Sequence, residues 1–322
     1  MDRDMRMTRR GAMMGAAALG LSGGRASAQV QAPKVWLDLD QQALDAAYDQ
    51  AAYAPNLQQI LGRYATNSEA VRARLGAPRR LAYGASAIEA LDLYPTARPH
   101  APIHVFIHGG AWRTGLAKDY GFPAETFVRA GAHYVVPDFI NVVESGGDLT
   151  PMAEQVRRAL AWVYRNAASF GGDPHKLYLS GHSSGAHLAG TALIADWQRE
   201  FNLPPTFIKG ALLCSGMYDL KPVRLSARSR YVTFTDATED ALSTQRHRAR
   251  IACPVVLAHG TLETPEFQRQ TRDFAAALEA AHKPMRLLVG QGYNHFEIAE
   301  TLANPYGLLG RAALAQMGLA RA

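Results

Sequence analysis

The stretch Leu177-Tyr178-Leu179-Ser180-Gly181-His182-Ser183-Ser184-Gly185-Ala186-His187 decides how the rest of the chain is read. Residues 177–180 read as a strand, residues 186–195 as a helix, and Gly181-x-Ser183-x-Gly185 as the turn between them. A serine hydroxyl is a weak nucleophile. It gains reactivity when a tight turn presents it where a base can reach it, and small residues two before and two after Ser183 let strand and helix approach at that turn. The helix also aims its first backbone N–H groups at developing negative charge. A glycine-rich turn that merely packs a helix on a sheet would use the same letters, so the pattern is weak alone and gains weight from its flanks.

Working outward, short β-rich runs alternate with helical ones from about residue 80 onward, which predicts a parallel sheet with crossover helices. The predicted strands are 80–83, 90–93, 103–107, 133–137, 177–180, 208–214, 254–258 and 285–289. Residues 151–170 place Val156, Leu160, Val163 and Tyr164 on one helical face, and residues 265–281 do the same with Phe267, Phe274 and Leu278. Residues 34–75 look helical, with Leu44, Tyr48 and Ala52 at helical spacing. That region and 221–250 are expected cap elements on one α/β domain spanning 29–322.

Upstream of the serine turn, Val105-Phe106-Ile107 runs into His108-Gly109-Gly110-Ala111-Trp112. Glycines after a strand let backbone N–H groups face a substrate oxygen with no Cβ in the way. Gly109 would make the turn, and the amides of Gly110, Ala111 and Ser184 would form an oxyanion hole, each donor worth about 3–4 kcal/mol of barrier. A histidine base is then required on a loop after the last strand, and Gly290-Gln291-Gly292-Tyr293-Asn294-His295-Phe296 supplies His295. His247, His259 and His282 are poorer candidates. His182 and His187 flank the turn as packing or hydrogen-bonding residues. His100, His104 and His108 recur every four residues, but on a strand that spacing is about 13 Å, too far to chelate one metal. The acid comes from Gly260-Thr261-Leu262-Glu263-Thr264-Pro265-Glu266. Glu263 stands in the loop and is preferred, Glu266 in the first helical turn suits the helix dipole, and Asp219 is a third choice. Trp112, Tyr218 and Phe296 are candidate pocket-lining residues.

Five segments in order, His108-Gly109-Gly110-Ala111-Trp112, Gly181-His182-Ser183-Ser184-Gly185-Ala186-His187, Ser215-Gly216-Met217-Tyr218-Asp219-Leu220, Glu263-Thr264-Pro265-Glu266-Phe267 and Asn294-His295-Phe296-Glu297, together resemble the kynurenine formamidase (arylformamidase) branch of the α/β-hydrolases. That branch is related to the hormone-sensitive-lipase-like esterases. The resemblance spans roughly residues 40–310. It implies an α/β-hydrolase fold, a Ser183–Glu263–His295 triad, a small-molecule ester or amide substrate, no metal and no organic cofactor. The family often has a bulkier residue at Ala111 and alanine at Ser184. A catalytically dead hydrolase fold serving as a binding protein is the alternative reading, although such relatives usually lose the serine or the histidine. A dehalogenase or epoxide hydrolase would need a carboxylate where Ser183 stands.

Composition fits this picture. The chain has 322 residues, 48% hydrophobic and 19% charged, enough apolar residue for a large core and too much for a disordered protein. No uninterrupted apolar stretch reaches the roughly 20 residues of a spanning helix. Residues 1–28 read as a signal peptide, with a basic start at Arg3, Arg6, Arg9 and Arg10, a short apolar run, and Ala26-Ser27-Ala28 as the cleavage site. Thr8-Arg9-Arg10 resembles a twin-arginine signal, so export to the periplasm is expected. Cleavage would remove five Arg and two Asp, reducing 34 basic and 28 acidic residues to 29 and 26. That is an ordinary soluble surface with no nucleic-acid footprint; the densest basic run, 224–230, reads as a solvated loop. An exported enzyme stands apart from cytoplasmic tryptophan breakdown, so the resemblance implies ester or amide hydrolysis more than N-formylkynurenine itself. Cys214 and Cys253 fall near opposite ends of neighbouring strands and are expected to be free, buried thiols.

Overall fold

A computed structural model describes residues 32–320; the expected signal segment lies outside the described residues. The described residues open with a hairpin, β1 (Lys34–Trp36) and β2 (Leu39–Asp40). Eight further strands form one sheet: β3 (Arg79–Ala82), β4 (Ala90–Tyr94), β5 (Ala101–Ile107), β6 (His133–Pro137), β7 (Gly172–His182), β8 (Ile208–Cys214), β9 (Val255–Gly260) and β10 (Met285–Gly290). Their order across the sheet is β10-β9-β8-β7-β5-β6-β4-β3. Only β4 runs against its neighbours; the other pairings are parallel.

The helices are α1 (Gln41–Ala47), α2 (Leu57–Leu75), α3 (Ala124–Arg129), α4 (Thr150–Asn166), α5 (Ser184–Leu193), α6 (Trp197–Phe201), α7 (Leu220–Leu225), α8 (Asp236–Ala241), α9 (Pro265–Ala280), α10 (Glu297–Glu300) and α11 (Leu308–Gln316). Strand alternation sorts the apolar residues onto two faces. On β5, Ile103, Val105 and Ile107 join one core cluster with Val156 and Leu160 of α4 and Phe267 and Phe274 of α9. Phe106 faces the opposite cluster, with Tyr134 and Val136 of β6, Phe127 of α3 and Leu309 of α11. A sheet covered on both faces needs strands that are apolar almost throughout, and β5 and β6 are buried along their whole length.

Two expectations need correction. The segment 34–75 is not helical from its start: Leu37 takes a left-handed φ of 48°, which turns the chain into the β1–β2 hairpin. Trp36 then packs against the core, and its ring lies 5.5 Å from the Arg269 guanidinium carbon. Tertiary packing outweighs helical spacing there. The basic run 224–230 is not a solvated loop either. It forms the end of α7 and a 3₁₀ turn, Ala227–Arg230, and Arg224 pairs with Asp236 and Glu239.

The sheet centre shows why the serine turn has its composition. Ser183 adopts φ 57° and ψ −127°, and α5 begins at the next residue. A Cβ on Gly185 would collide with the carbonyl oxygens of Ile107 and His108, and one on Gly181 with the carbonyl of Gly185. Helix α5 therefore sits against β5 and β7 at a distance only glycine permits.

The thiols are free and buried. The Ala211–Val255 register sets Cys253 five residues from the level of Cys214, about 16 Å along the strand at ~3.3 Å per residue. Burial pushes the Cys253 thiol up to about 12 and Cys214 higher still. Two outcomes are expected. Iodoacetamide should label neither cysteine in the native protein and both after denaturation. Gly185→Ala should cost at least about 3 kcal/mol in urea unfolding or prevent soluble folding, because the obstructing atoms are backbone.

Candidate active site

Three side chains from distant parts of the chain meet above the carboxyl ends of the central strands. Ser183 projects from the β7–α5 turn; its amide donates to the Cys214 carbonyl at 2.9 Å, and its carbonyl accepts from the amides of Ala186 and His187. His295 lies between β10 and α10, with Nε2 2.8 Å from Ser183 Oγ and Nδ1 3.1 Å from Glu263 Oε2. Glu263 follows β9. Its Oε1 accepts from the Gly260 amide and the Ser215 hydroxyl, each at 2.6 Å. Burial acts to raise the Glu263 carboxyl, but the bonds from His295, Gly260 and Ser215 outweigh it and hold the group below the usual carboxylate range. A buried carboxylate with three donors stays ionised.

The competing acids are occupied elsewhere. Glu266 accepts from Arg269 at 2.6 and 2.8 Å and from the Tyr48 hydroxyl at 3.2 Å. Asp219 caps α7 through the Lys221 amide and pairs with Arg246.

The turn after β5 completes the arrangement. Gly110, Ala111 and Trp112 all have left-handed φ values, 121°, 54° and 63°. The Gly110 carbonyl accepts from the amides of Arg113 and Thr114, and the Trp112 amide donates to Ser184 Oγ at 3.2 Å. The amides of Gly110 and Ala111 find no acceptor among the described residues, and both residues line the pocket that contains Ser183. Gly109 eases the approach, since a Cβ there would lie 3.0 Å from the His182 carbonyl oxygen and 3.1 Å from the Cβ of Ser183. The Ser184 hydroxyl thus ties this turn to α5, a bond that alanine could not make.

The pocket measures about 680 Å³ and holds Ser183, His295, Gly109, Gly110 and Ala111. A larger hollow of about 840 Å³ between α2, α3 and α11 contains none of these groups. Both expected cap segments reach the active-site pocket: Tyr48, Leu57 and Tyr64 from the first, Arg228 and Tyr231 from the second. Phe296 lines it too. Trp112 and Tyr218 do not. Trp112 is buried with its indole N–H donated to His187 Nδ1, and Tyr218 is buried against Phe274 with its hydroxyl accepting from the Gly216 amide. These two rings are core, drawn inward by buried polar partners.

Four supporting residues, Ser215, His182, Asn56 and Tyr64, have contacts that the motifs do not show. Ser215, held at φ 55° at the end of β8, braces Glu263; its one signal is a polar residue ending an apolar strand. His182 Nε2 donates to the His295 carbonyl at 2.7 Å. Burial and the neighbouring His295 push His182 down to about 3, so it serves as a neutral donor. Helix α2 and its N-cap hold the same loop from above. Asn294 Nδ2 donates to Asn56 Oδ1 (3.0 Å), Asn56 Nδ2 to Glu297 (2.6 Å), and the Tyr64 hydroxyl to the Phe296 carbonyl (2.5 Å). His104 bonds Ser180 at 2.6 Å. Among the described residues no three His, Cys, Asp or Glu side chains are grouped to hold a metal.

A mostly parallel eight-stranded sheet, a sharp strand-to-helix serine turn and a histidine from the last loop define the α/β-hydrolase class. Comparisons with known proteins narrow this. The BD-FAE family model matches residues 91–208. The kynurenine formamidase of Salmo salar is 31% identical over 73% of this chain and 80% of its own length, and that of Danio rerio is 28% identical over 88% and 98%. A solved candidate thioesterase from Silicibacter sp. TM1040 superposes with a TM-score of 0.74 at 23% identity, covering 84% of this chain and 98% of its own, a likeness of fold. The chain belongs to the kynurenine formamidase family and is a hydrolase.

Removing the Ser215 hydroxyl leaves Glu263 buried with one donor fewer. Ser215→Ala should cost about 1–3 kcal/mol at pH 7. Glu263 has a depressed folded pKa, so its stabilisation is present above its unfolded pKa and lost as pH falls through the folded one. The cost of Ser215→Ala should therefore shrink on acidification. Urea unfolding of both proteins at neutral and acidic pH measures this.

Proposed function

We propose that the protein is a serine hydrolase that cleaves a carboxylic ester, or an aryl amide or formamide, through an acyl-enzyme on Ser183. The observation that carries this reading is the continuous chain from Ser183 Oγ through the His295 ring to Glu263, 2.8 and 3.1 Å long, opening on a pocket of substrate size. In the first half-reaction Ser183 Oγ attacks the acyl carbonyl while His295 Nε2 takes its proton. Glu263 holds Nδ1–H, fixes the tautomer and offsets the charge of the imidazolium. The Gly110, Ala111 and Ser184 amides receive the oxyanion of the tetrahedral intermediate. His295 then protonates the departing alcohol or amine. In the second half-reaction water attacks the acyl group with His295 again as base, and Ser183 recovers its proton when the carboxylic acid leaves.

The names of the two fish relatives support an arylformamide as one substrate type. The basic, apolar and small-residue segments of 1–28 support export and action in the periplasm. Ser183→Ala should lower kcat toward 4-nitrophenyl butyrate at least 10³-fold with an unchanged urea midpoint. A fluorophosphonate should form one adduct, on Ser183 in peptide mapping. Full activity in the variant would defeat the assignment of Ser183 as nucleophile, and no adduct on the wild type would favour a non-catalytic binding protein. A panel of 4-nitrophenyl esters, aryl amides and N-formylkynurenine then ranks the acyl and leaving groups.

A further inference from the structure

The pocket wall contributed by the second cap segment and the turn after Trp112 is cationic. Arg113, Arg228 and Arg230 line it, against Asp45 and Asp49. Two of these charges are already engaged with each other: Arg230 lies 3.4 Å from Asp45. Asp49 accepts from the Ala51 amide at a helix start. Arg113 and Arg228 have no carboxylate partner among the described residues.

Both guanidiniums are nevertheless held in place. The Arg113 guanidinium carbon lies 4.5 Å from the centre of the Tyr231 ring. Arg228 donates to the Tyr231 hydroxyl at 2.6 Å and to the Tyr48 carbonyl at 3.1 Å, and lies 5.6 Å from the Trp112 ring. Its Nε is buried with no acceptor. An arginine fixed by neutral acceptors and aromatic faces has already lost the rotamer freedom that binding would otherwise cost. Its charge remains unneutralised in a concave site, where field lines concentrate.

We propose that Arg113 and Arg228 recognise a carboxylate carried by the substrate, away from the bond that is cleaved. This rests on the serine-hydrolase reading and adds the substrate class: an ester or amide whose acyl or leaving portion bears an anionic group. Guanidinium forks suit a planar carboxylate, and the charge-assisted contact favours the anionic substrate over its neutral analogue tenfold or more.

Two matched pairs separate the possible positions of the anion. On the acyl side, 4-nitrophenyl hydrogen adipate is compared with 4-nitrophenyl hexanoate. On the leaving side, 3-acetoxybenzoate is compared with 3-acetoxybenzamide. The expected result is a kcat/KM ratio, anionic over neutral, of at least ten in one pair. In Arg113→Gln and in Arg228→Lys that ratio falls at least fivefold, and Arg113→Glu inverts it. Arg113 is exposed, so its variants test the idea even if those of Arg228 fold poorly. Turnover of all four esters with both ratios below ten, or a ratio that the Arg113 variants leave unchanged, overturns the carboxylate proposal and leaves the hydrolase reading standing. No turnover of any ester, with no fluorophosphonate adduct on Ser183, overturns both.

Discussion

The site depends on how closely one helix can lie against the middle of the sheet. Gly181 and Gly185 let α5 approach until its backbone touches the carbonyls that end β5. That approach forces the chain through Ser183 in a left-handed conformation that costs a non-glycine residue about 1–3 kcal/mol. The strain is held by bonds on both sides, the Ser183 amide to β8 and its carbonyl to the first turn of α5. The hydroxyl is then presented at one point of the pocket, and the other parts of the site are arranged around it.

The second constraint is electrostatic. A carboxylate as deeply buried as Glu263 is tolerated only when its oxygens are fully bonded. Gly260, Ser215 and His295 meet that need, and their geometry leaves the imidazole one orientation. His182 fixes the backbone of the same histidine from below, and Asn56 and Tyr64 fix its loop from above. The His295 ring is thus positioned by groups that are far apart in the chain. The turn after β5 is secured in a similar way, through Ser184 and the Trp112 amide.

Much of this was legible in residue order. The eight strands of the main sheet follow from β-rich runs between helical ones, and the serine turn from its glycines. The choice of Glu263 over Glu266 follows from loop against helix: the helical residue is bound by Arg269 one turn on. Less local features were not legible. The β1–β2 hairpin depends on Trp36 finding the core, which helical spacing cannot show. Trp112 and Tyr218 look like pocket residues from their neighbours, yet each is drawn inward by a partner distant in sequence or by the fold of its own turn. Arg228 reads as part of a solvated basic run until Tyr48, 180 residues away, accepts its hydrogen bond. Ser215 opens one of the recognised segments, but its bond to Glu263 exists only once β8 and β9 lie side by side.

Helix α2 and its cap residue do two jobs at once. Leu57, Leu61 and Tyr64 form part of the cavity roof, while Asn56 and Tyr64 grip the loop that carries His295. The shape of the cavity and the orientation of the His295 ring are therefore mechanically coupled. A shift of this helix is transmitted to the loop that carries His295, whereas the wall at 227–231 can change shape without touching that loop.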